Sequence, residues 1–129
     1  MTVADAGAVD TLLAFLTTSC GSCKPFWEMM AAPGFARALG ARLVVVTPSR
    51  SMEDERRARE LLPDGAYLHM GSETWFEYGV GASGSFVLVR TGPDSPEPWE
   101  RAGQVLGSTS GKTPGELLEL VKRWQATPA

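Results

Sequence analysis

Unbroken apolar runs alternate with amphipathic stretches along most of this chain. Leu12 to Thr17 and Arg42 to Thr47 are short and almost free of polar side chains, the pattern of strands buried on both faces of a sheet. Phe86 to Arg90 is a third such run, and Ala66 to Met70 is a shorter candidate strand. Between the first two, Phe26, Met29 and Met30 give an apolar face to a helix predicted from about Cys23 to Leu39. Pro25 should distort its first turns, Pro33-Gly34 should kink or break it, and Gly40 should close it. Ser51 is the expected cap of the next helix. Glu53, Asp54 and Glu55 fall in its first turn and Arg56, Arg57 and Arg59 further on, which matches the helix dipole. That charge run reads as a solvated face.

Pro63-Asp64-Gly65 is a turn, and Ser72 is the expected cap of a short helix through Trp75, Phe76 and Tyr78 that Gly79 ends. Thr91 to Pro98 contains three prolines and reads as a long hairpin loop, with Trp99 to Leu106 as the returning strand. Thr113-Pro114-Gly115-Glu116 forms a capping box with proline at the first helical position. It opens a last helix with Leu117, Leu120, Val121 and Trp124 on one side. Residues 1–10 are small and polar and are expected to be loosely held, with one domain over residues 11–126. Parallel strands joined by helices, followed by a closing hairpin and helix, predict a three-layer α/β/α sandwich around a central mixed sheet.

A chain of 129 residues is long enough for one domain with a real core. The net charge of −3 offers no electrostatic basis for binding nucleic acid or an anionic membrane. No apolar run approaches a membrane span. The start, Met1-Thr2-Val3-Ala4-Asp5, lacks the basic and apolar stretches of a signal peptide. The expected compartment is the cytoplasm as the chain is written, or outside it if an N-terminal anchor or signal has been removed. A monomer is the default for this size.

The candidate chemistry sits directly after the first strand, at Cys20-Gly21-Ser22-Cys23, which holds both cysteines of the chain. Two cysteines two residues apart, between a buried strand and a helix, point to a redox dithiol. At that junction the positive end of the helix and its free backbone N–H groups favour a thiolate at Cys20, and Lys24 adds a nearby charge. Cys20 is therefore the expected nucleophile and Cys23 the resolving thiol. Ser22 can donate a hydrogen bond to the thiolate, which would stabilise the reduced form and make the disulfide more oxidising. A purely structural disulfide is the weaker reading, since so short a loop contributes only about 2 kcal/mol. Zinc needs four ligands, and beyond the cysteines only His69 is at hand, itself expected to be structural. No metal or other cofactor is expected.

The stretch from Leu13 to Trp27, with the dithiol at its centre, resembles the TlpA/ResA-type proteins of the thioredoxin-like superfamily more than thioredoxin itself. Val44-Val45-Val46-Thr47-Pro48, Tyr78-Gly79-Val80 and Ser85-Phe86-Val87-Leu88-Val89 support the likeness, which covers about residues 10–125. It implies a thioredoxin fold and thiol–disulfide exchange with a protein substrate, with an upstream redox partner. TlpA-type relatives reduce cytochrome-maturation or metal-delivery partners. The likeness also implies a substrate groove along Ser83, Gly84 and Ser85, which Trp27 and Trp75 could flank.

Three departures stand out. The family places a cis-proline where this chain has Gly84, and a cis bond before glycine would cost about 2.5–4 kcal/mol, so a trans bond and a more flexible loop are expected. Loss of that proline could also open room for a metal at the two sulfurs, a minor alternative to the redox dithiol. The buried acid that thioredoxin carries six residues before its first cysteine is Ala14 here, so water or another carboxylate must move the proton. Ser19 stands in place of the usual tryptophan. Two other functions compete. Thr17 lies three residues before Cys20, as in the peroxiredoxin Thr-x-x-Cys pattern of a thiol peroxidase, but Leu13 replaces the proline of that pattern. A non-catalytic binding module would explain the missing proline and acid but not the intact cysteine pair.

Overall fold

β1 (Val9–Phe15) lies at the centre of a five-stranded sheet. β2 (Arg42–Thr47) pairs parallel with it, and β3 (Tyr67–Met70) pairs parallel with β2 at one edge. On the other side β4 (Ser85–Thr91) runs antiparallel to β1, and β5 (Gln104–Ser110) antiparallel to β4. The computed structural model describes residues 9–92 and 104–127. The loop predicted up to Pro98 and the start of the strand predicted from Trp99 therefore lie mostly outside the described residues. β5 itself runs on to Ser110, four residues past its expected end.

Both faces of the central strands are covered, as their unbroken apolar runs require. On one face Leu12, Ala14, Leu16, Leu43, Val45, Phe86 and Leu88 pack against Phe26, Trp27, Met30, Phe35, Leu39, Leu117 and Val121. These covering residues come from α1 (Lys24–Ala31), α2 (Phe35–Leu39) and α5 (Pro114–Gln125), and Leu61 of α3 (Glu55–Leu61) joins the same layer. On the other face Leu13, Phe15, Val44, Val46, Val87 and Val89 meet Trp75 of α4 (Ser72–Glu77), followed by Tyr78 and Val80. The result is the predicted α/β/α sandwich on a mixed sheet.

Several boundaries differ from expectation for tertiary reasons. β1 begins at Val9, so Val9 and Asp10 belong to the sheet and not to a loose segment: Asp10 is paired with Arg90 across β4. The strand ends at Phe15, leaving Leu16 and Thr17 to the loop that carries the dithiol. The helix expected from Cys23 to Leu39 is divided into α1 and α2 around Pro33-Gly34. Asp54, not Ser51, caps α3 by accepting the Arg57 N–H, and Ser51 instead bonds Ser49. Gly71 precedes α4, while the Ser72 hydroxyl accepts the Ser49 N–H at 3.0 Å. The capping box of α5 forms as expected, Thr113 and Glu116 each accepting the other's backbone N–H.

Gly107 of β5 allows α5 to lie close to the sheet. A Cβ added there would sit 2.2 Å from the Trp124 ring. Gly107→Ala is therefore expected to push α5 off the sheet and cost about 1–3 kcal/mol, read as a lower urea midpoint with an unchanged slope.

Candidate active site

The loop that leaves β1 is pinned before it reaches Cys20. The Thr18 N–H donates to the Glu53 carboxylate at 3.0 Å, and the Thr18 hydroxyl donates to the other oxygen of the same group. Glu53 also accepts the Asp54 N–H at 3.0 Å, so one side chain ties the β2–α3 connection to the dithiol loop. From the opposite end, the Trp27 indole N–H donates to the Thr17 carbonyl at 3.3 Å. The chain then turns: the Cys23 N–H bonds the Cys20 carbonyl at 3.2 Å, closing a single 3₁₀ turn over Gly21–Cys23, and α1 follows directly.

This geometry gives the two thiols different surroundings. Cys20 is half-buried, and its sulfur lies 3.0 Å from the Ser22 hydroxyl. Hydrogen bonds from Ser22, then from Ser83 and from Cys23, pull its pKa down to about 6. Cys23 is fully buried, packed with Phe26 and Trp27, and desolvation holds its thiol above the ordinary range. Lys24, expected to add charge beside Cys20, is exposed and reaches Glu28, with its Nζ 3.9 Å from the carboxylate. Gly21 is not demanded by space, since a Cβ there would meet nothing within 4 Å.

Ser83 reaches both sulfurs from the loop before β4. Gly84 follows at φ +83°, a conformation open to glycine, and its N–H donates to the Phe15 carbonyl at 2.8 Å. Both features suit glycine and neither suits the proline that the resemblance leads one to expect. Every peptide bond among the described residues is trans. Ser85 is buried, and its hydroxyl donates to the Ala82 carbonyl at 2.7 Å, so it braces the loop from inside. Trp27 is buried in the first core with one edge towards a cleft beside Cys20. Trp75, expected beside the groove, packs edge-on against Phe15 on the other face of the sheet, with ring centroids 5.4 Å apart.

No protein-family model matches the chain, and no curated protein matches it. Solved structures do. A thioredoxin-like protein determined in its oxidised form superposes with a TM-score of 0.65 at 15% identity, over 92% of this chain and 78% of that one. The chain has a thioredoxin fold. A protein assigned as the thiol:disulfide interchange protein DsbE of Chlorobium tepidum gives 0.60 at 18% identity, over 97% and 83% of the two chains. StoA of Bacillus subtilis gives 0.59 at 18%, over 91% and 82%.

Within this thioredoxin fold the position of thioredoxin's buried acid is Ala14, which is fully buried and paired with Phe86. Glu53 is a carboxylate that the fold brings to the dithiol loop instead, through Thr18. Sequence reasoning placed Glu53 in a helix's first turn. Its spacing from Thr18, 35 residues, carries no local signal of the contact. His69 bonds the Thr74 hydroxyl at 2.9 Å, and burial lowers its pKa. Among the described residues no cluster of three or more His, Cys, Asp or Glu could hold a metal, and no helix is long and apolar enough to cross a membrane.

Proposed function

We propose that this protein is a thiol–disulfide oxidoreductase that exchanges a disulfide with a protein substrate through Cys20 and Cys23. The observation that carries the reading is the asymmetry of the pair: an accessible sulfur held as thiolate by Ser22 and Ser83, and a buried one kept as thiol. The Cys20 thiolate attacks one substrate sulfur, the substrate S–S bond breaks, and the departing thiolate takes up a proton. Cys23 then loses its proton and attacks the Cys20 sulfur, releasing the second substrate thiol. The substrate gains two electrons and the dithiol becomes a disulfide, which an upstream partner restores. Ser83 and Gly84 are the proposed contact for the substrate chain, because Ser83 stands at both sulfurs. Names among the structural neighbours, such as a thiol:disulfide interchange protein, agree with this chemistry.

Alkylation of the reduced protein across pH tests the asymmetry. One thiol should react with a half-point near pH 6, and the other should stay slow until well into the alkaline range. Ser22→Ala should move the first half-point upwards, with about a tenfold loss of thiolate below it for each unit. A depressed thiol pKa stabilises the reduced fold fully above the unfolded value of about 8.5, and that stabilisation is lost as pH falls through about 6. Two thiols titrating together in the ordinary range would contradict the reading.

A further inference from the structure

A cleft of about 430 Å³ lies between α1 and α3, with Cys20 among its lining residues. That volume is within the range of small-molecule sites. Trp27 and Leu61 line its apolar part, and Lys24, Glu28, Arg57 and Glu60 line it with charge. The loop that carries Ser83 and Gly84 forms none of its walls. That loop leads into β4, on one side of β1, whereas α3 joins β2 to β3 on the other. The cleft and the proposed chain contact therefore approach the nucleophile from different directions.

The charges in the cleft are available to a ligand. Among the described residues Lys24 pairs with Glu28 at 3.9 Å and Arg57 with Glu60 at 3.5 Å, Glu60 also meeting Arg56 at 3.6 Å, with more than half of each side chain exposed. Exposed pairs of this length are weak and can be traded for a ligand's own charges. Two cations, Lys24 and Arg57, and two carboxylates, Glu28 and Glu60, around a small apolar surface complement a molecule bearing both carboxylate and ammonium groups on a short aliphatic frame.

We propose that this cleft binds a low-molecular-weight disulfide carrying carboxylate and ammonium groups and presents one of its sulfurs to Cys20. The inference rests on the exchange reading above and gives the dithiol a second class of substrate. Cys20 bonds one ligand sulfur, the ligand S–S bond breaks, and the first half leaves as a thiolate that takes up a proton. Cys23 gives up its proton and displaces the second half as a thiol. One small disulfide becomes two thiols, and Cys20–Cys23 becomes a disulfide. The reverse reaction lets small thiols reduce the protein.

The test is the rate at which the reduced full chain reacts with oxidised glutathione, compared with uncharged bis(2-hydroxyethyl) disulfide, measured by quenched-flow mass spectrometry. The expected result is saturation with oxidised glutathione and about a tenfold preference for it, the size of one charge-assisted contact. Arg57→Ala should move the ratio towards one, and so should Ala31→Phe, which fills the cleft from an exposed position at the end of α1. Linear, equal rates with both disulfides, unaltered by either variant, would overturn the cleft assignment and leave exchange at Cys20 intact. No reaction with either disulfide would overturn the exchange reading together with it.

Discussion

Cys20→Ser should abolish disulfide exchange, whereas Cys23→Ser should leave the first step and block the second. The structure makes the two substitutions unequal. Cys20 is the sulfur that Ser22 and Ser83 hold as thiolate and that opens to the cleft. Cys23 has no exposed surface and a raised pKa, so it cannot stand in as the attacking group. Serine at position 20 is a far weaker nucleophile, and the loss should be at least about a thousandfold, to the level of the uncatalysed reaction. In Cys23→Ser the mixed disulfide at Cys20 has no resolving thiol and should accumulate, visible as a covalent adduct by non-reducing electrophoresis and mass spectrometry. A binding module with a vestigial dithiol predicts something different: partner binding would survive Cys20→Ser, and no adduct would form in Cys23→Ser.

Arg90→Ala should be among the most destabilising single changes to the fold. Arg90 and Asp10 face each other across β4 and β1, and their side chains are each only 14% exposed. The guanidinium bonds both carboxylate oxygens, at 2.7 and 3.1 Å. It also donates to the Thr127 carbonyl at 2.7 Å and the Gln125 carbonyl at 3.2 Å, where α5 ends. One side chain thus joins the two central strands to the end of the last helix. Its removal leaves a mostly buried carboxylate and two carbonyls unpaired, a loss of about 3 kcal/mol. For a chain of this size that corresponds to a melting temperature lower by roughly 10 °C. Arg90→Lys should recover little, because an ammonium cannot make the two-pronged contact and reach the carbonyls as well. Pairing Arg90→Met with Asp10→Ala should be milder than Arg90→Ala alone, since no charge is then stranded. A loss below about 1 kcal/mol in Arg90→Ala would show that solvent already screens the pair.

Much of this architecture was legible in the sequence because it rests on local pattern. The strands buried on both faces announce themselves as Leu12-Leu13-Ala14-Phe15 and Leu43-Val44-Val45-Val46, and the box Thr113-Pro114-Gly115-Glu116 caps the last helix as its spacing requires. The dithiol was legible for the same reason, as a short motif at a strand-to-helix junction. Contacts set by tertiary structure were not. Ser51 and Ser72 have the chemistry of caps, but Ser49 draws both into one loop network, leaving Asp54 to cap α3. Trp75 has the size to flank a groove, yet it belongs to the layer behind the sheet because α4 crosses to that face. The link from Glu53 to Thr18 and the reach of Ser83 to both sulfurs join residues far apart in the chain, and no periodicity foretells them.

The reduction potential of the Cys20–Cys23 pair tests the central claim most directly. The protein would be equilibrated in glutathione buffers of graded poise, quenched, alkylated and weighed. A stabilised thiolate at Cys20 favours the reduced form, so the account predicts a reversible two-electron couple less reducing than about −270 mV, the value for thioredoxin. Two free thiols at every poise, with no reversible disulfide, would contradict it.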